Sequence, residues 1–266
     1  MLKYFTIFSL SLQNEFTYRL NFILWRSRNI LRFLMTFFLW QGVFYSNRSV
    51  FGYSQQDMLT YVFLVLVINT FVLSAPSAEN IGGEIARGDL SNYLVKPVNY
   101  LKYWFTRDLS SKVLNLAFAV FEISVLALML RPDIKLPEDL VNLLAFFLAS
   151  VLAMVIYFLI SITAASFAFW RPEDIWGARF FIAILIETFA GGIFPLDILP
   201  GFLKIVLQLT PFPYLIYFPI AIILGKITGI TLIRILFQSL VWTLLMFFLA
   251  KLLWKKGLKS YSAEGK

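Results

Sequence analysis

Six continuous apolar stretches, each close to the roughly 20 residues an α-helix needs to cross about 30 Å of hydrocarbon, make up most of this 266-residue chain. They run from about Asn21 to Tyr45, Met58 to Ser74, Val113 to Leu130, Leu140 to Trp170, Ile175 to Phe194 and Ile230 to Trp254. The fourth is long enough to protrude or tilt. Such runs demand a bilayer as solvent, and the composition agrees. Hydrophobic residues are 60% of the chain and mean hydropathy is +0.79, while 14% charged residues are too few to coat a soluble globule of this size. An outer-membrane barrel needs shorter, alternating segments. The expected fold is therefore an all-α integral membrane protein with six transmembrane helices, in a single domain over residues 1–266 with no internal repeat.

Cys and His are both absent. That removes disulfides, thiol nucleophiles, imidazole bases and the usual zinc and iron–sulfur ligand sets. A net charge of +8 raises the question of nucleic acid, but Lys and Arg lie beside the apolar runs, as they do in proteins held at a membrane surface. With both termini cytoplasmic, seventeen basic residues fall on the cytoplasmic side. Six fall opposite: Arg48, Arg131, Lys135, Lys204, Lys226 and Arg234. The asymmetry fits the tendency of basic loops to stay inside. Arg26, Arg28 and Arg32 sit within the first run and have to snorkel, pair or shorten it.

The opening MLKYFTIFSLSLQNEF lacks a compact basic region, an apolar core and a small-residue cleavage site, so it reads as retained. Phe5, Phe8, Leu12, Phe16 and Leu20 recur at helical spacing, with Thr6, Ser9, Gln13 and Thr17 on a neighbouring face. This predicts an amphipathic helix along the cytoplasmic interface.

Two segments carry the functional inference. The connection from Pro76 to Lys112 is punctuated for short helices. Gly88 is placed as a left-handed cap, Asp89 and Asn99 as N-caps, and Lys96 is biased out of the helical region by Pro97. Leu90, Tyr93 and Leu94 share a face that either docks another protein or packs on the chain's own helices. The second segment, Gly191 to Lys226, remains apolar but holds prolines at 195, 200, 211, 213 and 219. These forbid one continuous helix, and broken backbone at membrane depth points to a re-entrant helical hairpin.

At these two places the chain resembles the type-2 ATP-binding-cassette (ABC) exporter permeases. The pattern between their second and third spans appears as Gly88, Leu90, Tyr93, Leu94 and Pro97, preceded by the acidic Glu84, with Tyr93 where Leu is commoner. Their later pattern appears as Gly192, Phe194, Pro195, Leu199, Pro200, Pro211 and Tyr214. The resemblance implies a six-helix transmembrane permease of the prokaryotic cytoplasmic (inner) membrane, with cytoplasmic N- and C-termini, that exports substrate. It implies a partner set of two ABC ATPase subunits and a second permease, identical or related. Glu84 to Pro97, with Asp89, becomes the coupling helix seated on the ATPase, and Gly191 to Tyr214 the outer gate. No cofactor belongs to this chain; ATP and Mg are expected on the partner. In keeping with that, the chain has no phosphate loop: Gly225-Lys226 is followed by Ile227, and Ile220 stands where the upstream Gly is needed.

Glu122 and Glu187 fall inside apolar runs, where an ionised group is costly and a proton-handling role is the default hypothesis. The competing reading is a hydrogen-bonded fastening between helices. Arg171-Pro172-Glu173-Asp174 is either a second ATPase contact or a tight helix connection. Trp25, Trp170, Trp176 and Trp254 match an interfacial aromatic belt, and the tail from Leu249 to Lys266 an anchor on anionic lipid. The rival classes are a gradient-driven secondary transporter working through Glu122 or Glu187, and a membrane scaffold.

Overall fold

A computed structural model describes residues 2–17, 19–46, 48–74, 77–135 and 139–261. Among these the regular structure is helical apart from one hairpin of two two-residue strands. Helix α1 (Leu2–Thr17) leads to α2 (Arg19–Val43). Strands β1 (Ser49–Val50) and β2 (Tyr53–Ser54) then pair antiparallel ahead of α3 (Gln55–Val72). The short helices α4 (Ser77–Ala86) and α5 (Ser91–Leu94) precede α6 (Tyr100–Leu130), which ends at Arg131 in a left-handed conformation just before Pro132. Helix α7 (Leu140–Ala165) and two 3-10 turns, Ser166–Phe169 and Pro172–Asp174, lead into α8 (Ile175–Phe189).

After α8 the backbone breaks where the prolines demand it. A 3-10 turn (Leu196–Ile198) follows Pro195, α9 (Gly201–Gln208) follows Pro200, and another turn (Phe212–Tyr214) follows Pro211. Helix α10 (Tyr217–Ile223) holds Pro219 in its first turn, where the missing amide costs nothing. Helix α11 (Gly229–Ser260) closes the chain.

Four of these helices, α3, α6, α11 and α7 with its 3-10 extension to Phe169, are long and apolar enough to cross a membrane. The predicted first and fifth runs correspond to α2 and α8. Helix α2 is long enough but carries Arg26, Arg28 and Arg32, and α8 stops at 15 residues, about 22 Å at 1.5 Å per residue. Helices α3 and α7 form the interior, with 61% and 56% of their apolar windows buried, against 22% for α6 and for α11. In α7, Ala145, Ala149 and Ala153 recur every fourth residue and are buried, so neighbouring backbones approach closely. Helix α2 contributes Phe33, Phe37, Trp40 and Phe44 to a second core with Phe63, while Leu31, Met35, Phe38 and Leu39 remain exposed. Phe33 meets Phe63 edge to face at 4.8 Å.

Contacts sort the loops to two ends. The β-hairpin, the residues before α7, the turn after Pro195 and Lys226 meet at one. The start of α1, α4, α5, the 166–174 turns and the end of α11 meet at the other. Helix α1 packs along α6, where Ser110 donates to the Phe8 carbonyl at 3.0 Å. Phe5 and Leu10 face outward; the predicted Phe16 and Leu20 side chains, like Pro76, lie outside the described residues. Trp254 departs from the belt expectation. It is buried, stacked on Tyr100 at 5.3 Å and edge-on to Phe169 at 5.2 Å.

Candidate functional site

The first candidate is the α4–α5 element. Gly88, at φ +80°, takes the left-handed turn expected of it. Asp89 does not cap α5: it pairs with Arg87 at 3.0 Å, and the turn closes through Ser91 Oγ donating to the Gly88 carbonyl at 2.7 Å. Asn99 does cap α6, accepting from the Lys102 amide at 3.0 Å. The apolar stripe divides. Leu90 is fully buried and Tyr93 packs on the core, whereas Leu94 is 51% and Val95 85% exposed. Packing on the chain's own helices is therefore realised by Leu90 and Tyr93, while Leu94 is left exposed on the other side of one helical turn.

Glu84 faces inward. Its carboxylate accepts from Tyr93 Oη at 3.2 Å, Tyr100 Oη at 2.5 Å and Trp104 Nε1 at 3.1 Å. Burial, with the nearby Tyr103 and Glu84, pushes the Tyr93 hydroxyl well above its usual range, so it stays a donor at physiological pH. Two distant termini pin the element: Lys3 Nζ donates to the Pro97 carbonyl at 2.8 Å, and Tyr261 Oη accepts from the Ser91 amide at 3.2 Å. A cleft of about 550 Å³ opens beside it, lined by Glu84, Arg87, Asp89, Asn92, Tyr93, Val95 and Lys96. Two exposed apolar side chains ringed by mixed charge, on a rigidly held turn, suit docking rather than catalysis.

At the opposite end, Gly191 adopts φ +89°. A side chain there would also meet Tyr61 Oη at 2.9 Å, because that hydroxyl donates to the Gly191 carbonyl at 2.6 Å. Trp40 Nε1 donates to the Ile193 carbonyl at 3.1 Å. Gly192 and Pro195 are buried and Phe194 packs on the second core. Tyr53 Oη donates to Asp197 at 2.9 Å; burial, then the Asp197 charge, raises its pKa far above the usual value. Lys226, over the Tyr53 ring, is pushed down by burial. Tyr214 stands apart, buried and donating to the Gln208 carbonyl and to Gln238 Oε1 of α11, both at 3.2 Å. Pro200 is exposed, and Leu199 and Pro211 are half-buried. The structure thus gathers Gly191, Gly192, Phe194 and Pro195 around α2 and α3, and places Tyr214 on α11.

Glu122 and Glu187 are both in ion pairs with α2. Arg26 grips Glu122 through Nε and Nη2, and its Nη1 donates to the Asn115 carbonyl and Oδ1 at 3.1 and 3.2 Å. Arg32 donates to Glu187 at 2.7 Å. The first pair is buried, at 5% and 12% side-chain exposure; the second is open, at 38% and 48%. Beside Arg32 a notch with room for about 20 Å³ is lined by Asn29, Thr36, Asn69 and Gly192 among others. The partners of both carboxylates are two of the arginines in the first apolar run, and of the alternatives open to these two, snorkelling, pairing or shortening the run, pairing is the one seen. Lys112, counted among the cytoplasmic basic residues, is buried instead, and so is Asp108 four residues before it. Their four-residue spacing was the available signal. Arg171 pairs locally with Asp174 at 3.0 Å. Among the described residues no three Asp or Glu side chains cluster as metal ligands.

Four helices long and apolar enough to cross a bilayer, with loops gathered at two ends, mark a polytopic membrane protein. The family model for ABC-2 family transporter proteins matches residues 30–265, and the chain belongs to that family. No curated protein and no solved structure matches it.

Proposed function

We propose that this chain is the single-domain permease subunit of an ABC exporter in a prokaryotic cytoplasmic membrane. Separate ATPase subunits, two per assembly, hold the Mg and ATP and dock on α5. A second permease, identical or related, completes the pathway. Helices α2 and α8 join the four long helices as the first and fifth of six crossings, with both termini cytoplasmic. The α2 charges are tolerable there because two of the three arginines are paired to Glu122 and Glu187. The Gly191–Tyr214 segment serves as the outer gate, its broken backbone re-entering from the far side.

The observation that carries this reading is the outward face of α5. Leu94 and Val95 project between Arg87, Asp89, Asn92 and Lys96, while Leu90, Tyr93 and Glu84 tie the turn to α4 and α6. A partner pressing on Leu94 and Val95 therefore presses on the helices behind them. Family membership supports the ATPase as that partner.

The test is co-purification of the tagged chain from its native membrane in mild detergent, followed by mass spectrometry. The wild type is expected to bring down an ABC ATPase, and Leu94→Asp/Val95→Asp to lose it while remaining folded. Co-purification unaffected by that substitution refutes the α5 dock. Absence of any ATPase from the wild type favours the gradient-driven alternative.

A further inference from the structure

The first four turns of α6 each present one side chain to the same segment of chain. Tyr100, Trp104, Asp108 and Lys112 stand at four-residue spacing, and all are 6% exposed or less. Residues so spaced share a helix face. Tyr100 and Trp104 donate to Glu84 in α4. Asp108 accepts from Ser77 Oγ, at the first residue of α4. Lys112 Nζ donates at 2.8 Å to the carbonyl of Val72, the last residue of α3. Three rungs thus fasten α6, running one way, to the end of α3 and the whole of α4, running the other.

The charges match the poles they face. Unpaired carbonyls make the end of α3 negative, and Lys112 sits there; unpaired amides make the start of α4 positive, and Asp108 sits there. Exchanging the two would set like against like. Buried charges are a costly way to hold helices together when apolar packing would serve. They do, however, fix one register, since sliding α6 by a turn would break every rung at once.

We propose that this ladder is the transmission of the transporter. Asp108 and Lys112 are positioning residues that make α4, the end of α3 and the start of α6 move as one body. Displacement of α5 by the ATPase then reaches two membrane helices instead of bending the α3–α4 connection. The proposal rests on the reading of α5 as the ATPase dock.

The chain contains no Cys, so spin labels at Tyr45→Cys and Leu209→Cys, two exposed sites, report only the outer end. The distance between them is measured in the purified permease–ATPase complex, nucleotide-free and trapped with ADP and vanadate. The parent is expected to show a nucleotide-driven shift. Asp108→Asn/Lys112→Met, which leaves no lone charge, is expected to keep the ATPase and its ATP hydrolysis but lose the shift; Lys112→Arg keeps all three. A full shift in the double variant overturns the ladder, as does loss of the ATPase from it, because the rungs would then merely hold the dock. Should the double variant misfold, Ser77→Ala removes one rung and no charge: a reduced shift supports the proposal and a full one overturns it. A parent that does not respond to nucleotide overturns the dock and the ladder together.

Discussion

Replacing Glu122 by Gln leaves the Arg26 guanidinium buried without its counter-charge. Removing one member of a buried ion pair costs about 3–5 kcal/mol, because the remaining charge is uncompensated. Two features place this case at the low end, about 3 kcal/mol: Asn115 still accepts from Nη1 through both its oxygens, and Gln retains a carbonyl acceptor. Substituting both partners, Arg26→Met/Glu122→Met, removes both desolvated charges while roughly keeping volume. The double variant should return to within about 1 kcal/mol of the parent. Hydrogen bonds between membrane helices, by contrast, average only about 0.6 kcal/mol in double-mutant cycles. The cycle of Arg26→Met, Glu122→Met and the pair, unfolded by dodecyl sulfate in mixed micelles, therefore discriminates. A coupling energy above about 2 kcal/mol is expected. A value near 0.6 kcal/mol would refute the buried charge pair and reduce it to an ordinary fastening.

Gly257→Ala places a Cβ against the ring of Phe169 well inside contact distance. It should lower stability by about 1–3 kcal/mol, seen as a reduced thermal midpoint in detergent; an unchanged midpoint contradicts the α11–Phe169 packing. Gly191→Ala combines a positive φ with a clash on Tyr61 and should cost about 1–3 kcal/mol. Part of that loss persists in a Tyr61→Phe background, where the hydroxyl is gone but the strain remains. Tyr53→Phe removes the bond to Asp197. It should cost about 1 kcal/mol and raise proteolytic cutting around residues 45–54, whereas unaltered cutting would mean that Asp197 does not hold the hairpin.

The apolar runs made these helices legible because a crossing needs one continuous stretch with few charges, and α3, α6, α7 and α11 each contain such a stretch. Prolines 195, 200 and 211 likewise located the breaks after α8, since each removes a helical amide. Side-chain direction was less legible. Leu90, Tyr93 and Leu94 share a stripe by spacing, but a single turn splits it, and only the tertiary fold decides that Leu90 faces in and Leu94 out. Asp89 had the chemistry of a cap, yet Arg87 two residues earlier offered it an ion pair. The partners of Glu122 and Glu187 lie 96 and 155 residues away. The sequence left Arg26 and Arg32 to snorkel, pair or shorten the first run, and the two glutamates to handle protons or to fasten helices, without matching one to the other. Lys112 was counted with the cytoplasmic charges because the third span was expected to start at Val113; the helix does start at the Asn99 cap, but the end of α3 and α4 pack on this face and bury Lys112 together with Asp108.

The most direct test of the account is a photo-crosslinker, p-benzoylphenylalanine, placed at Val95 and, as a control, at Tyr45, then activated in the native membrane. Position 95 should capture an ABC ATPase and position 45 should not. An ATPase captured from position 45, or none from position 95 while other proteins are captured there, would contradict the claim that α5 is the cytoplasmic seat of the motor.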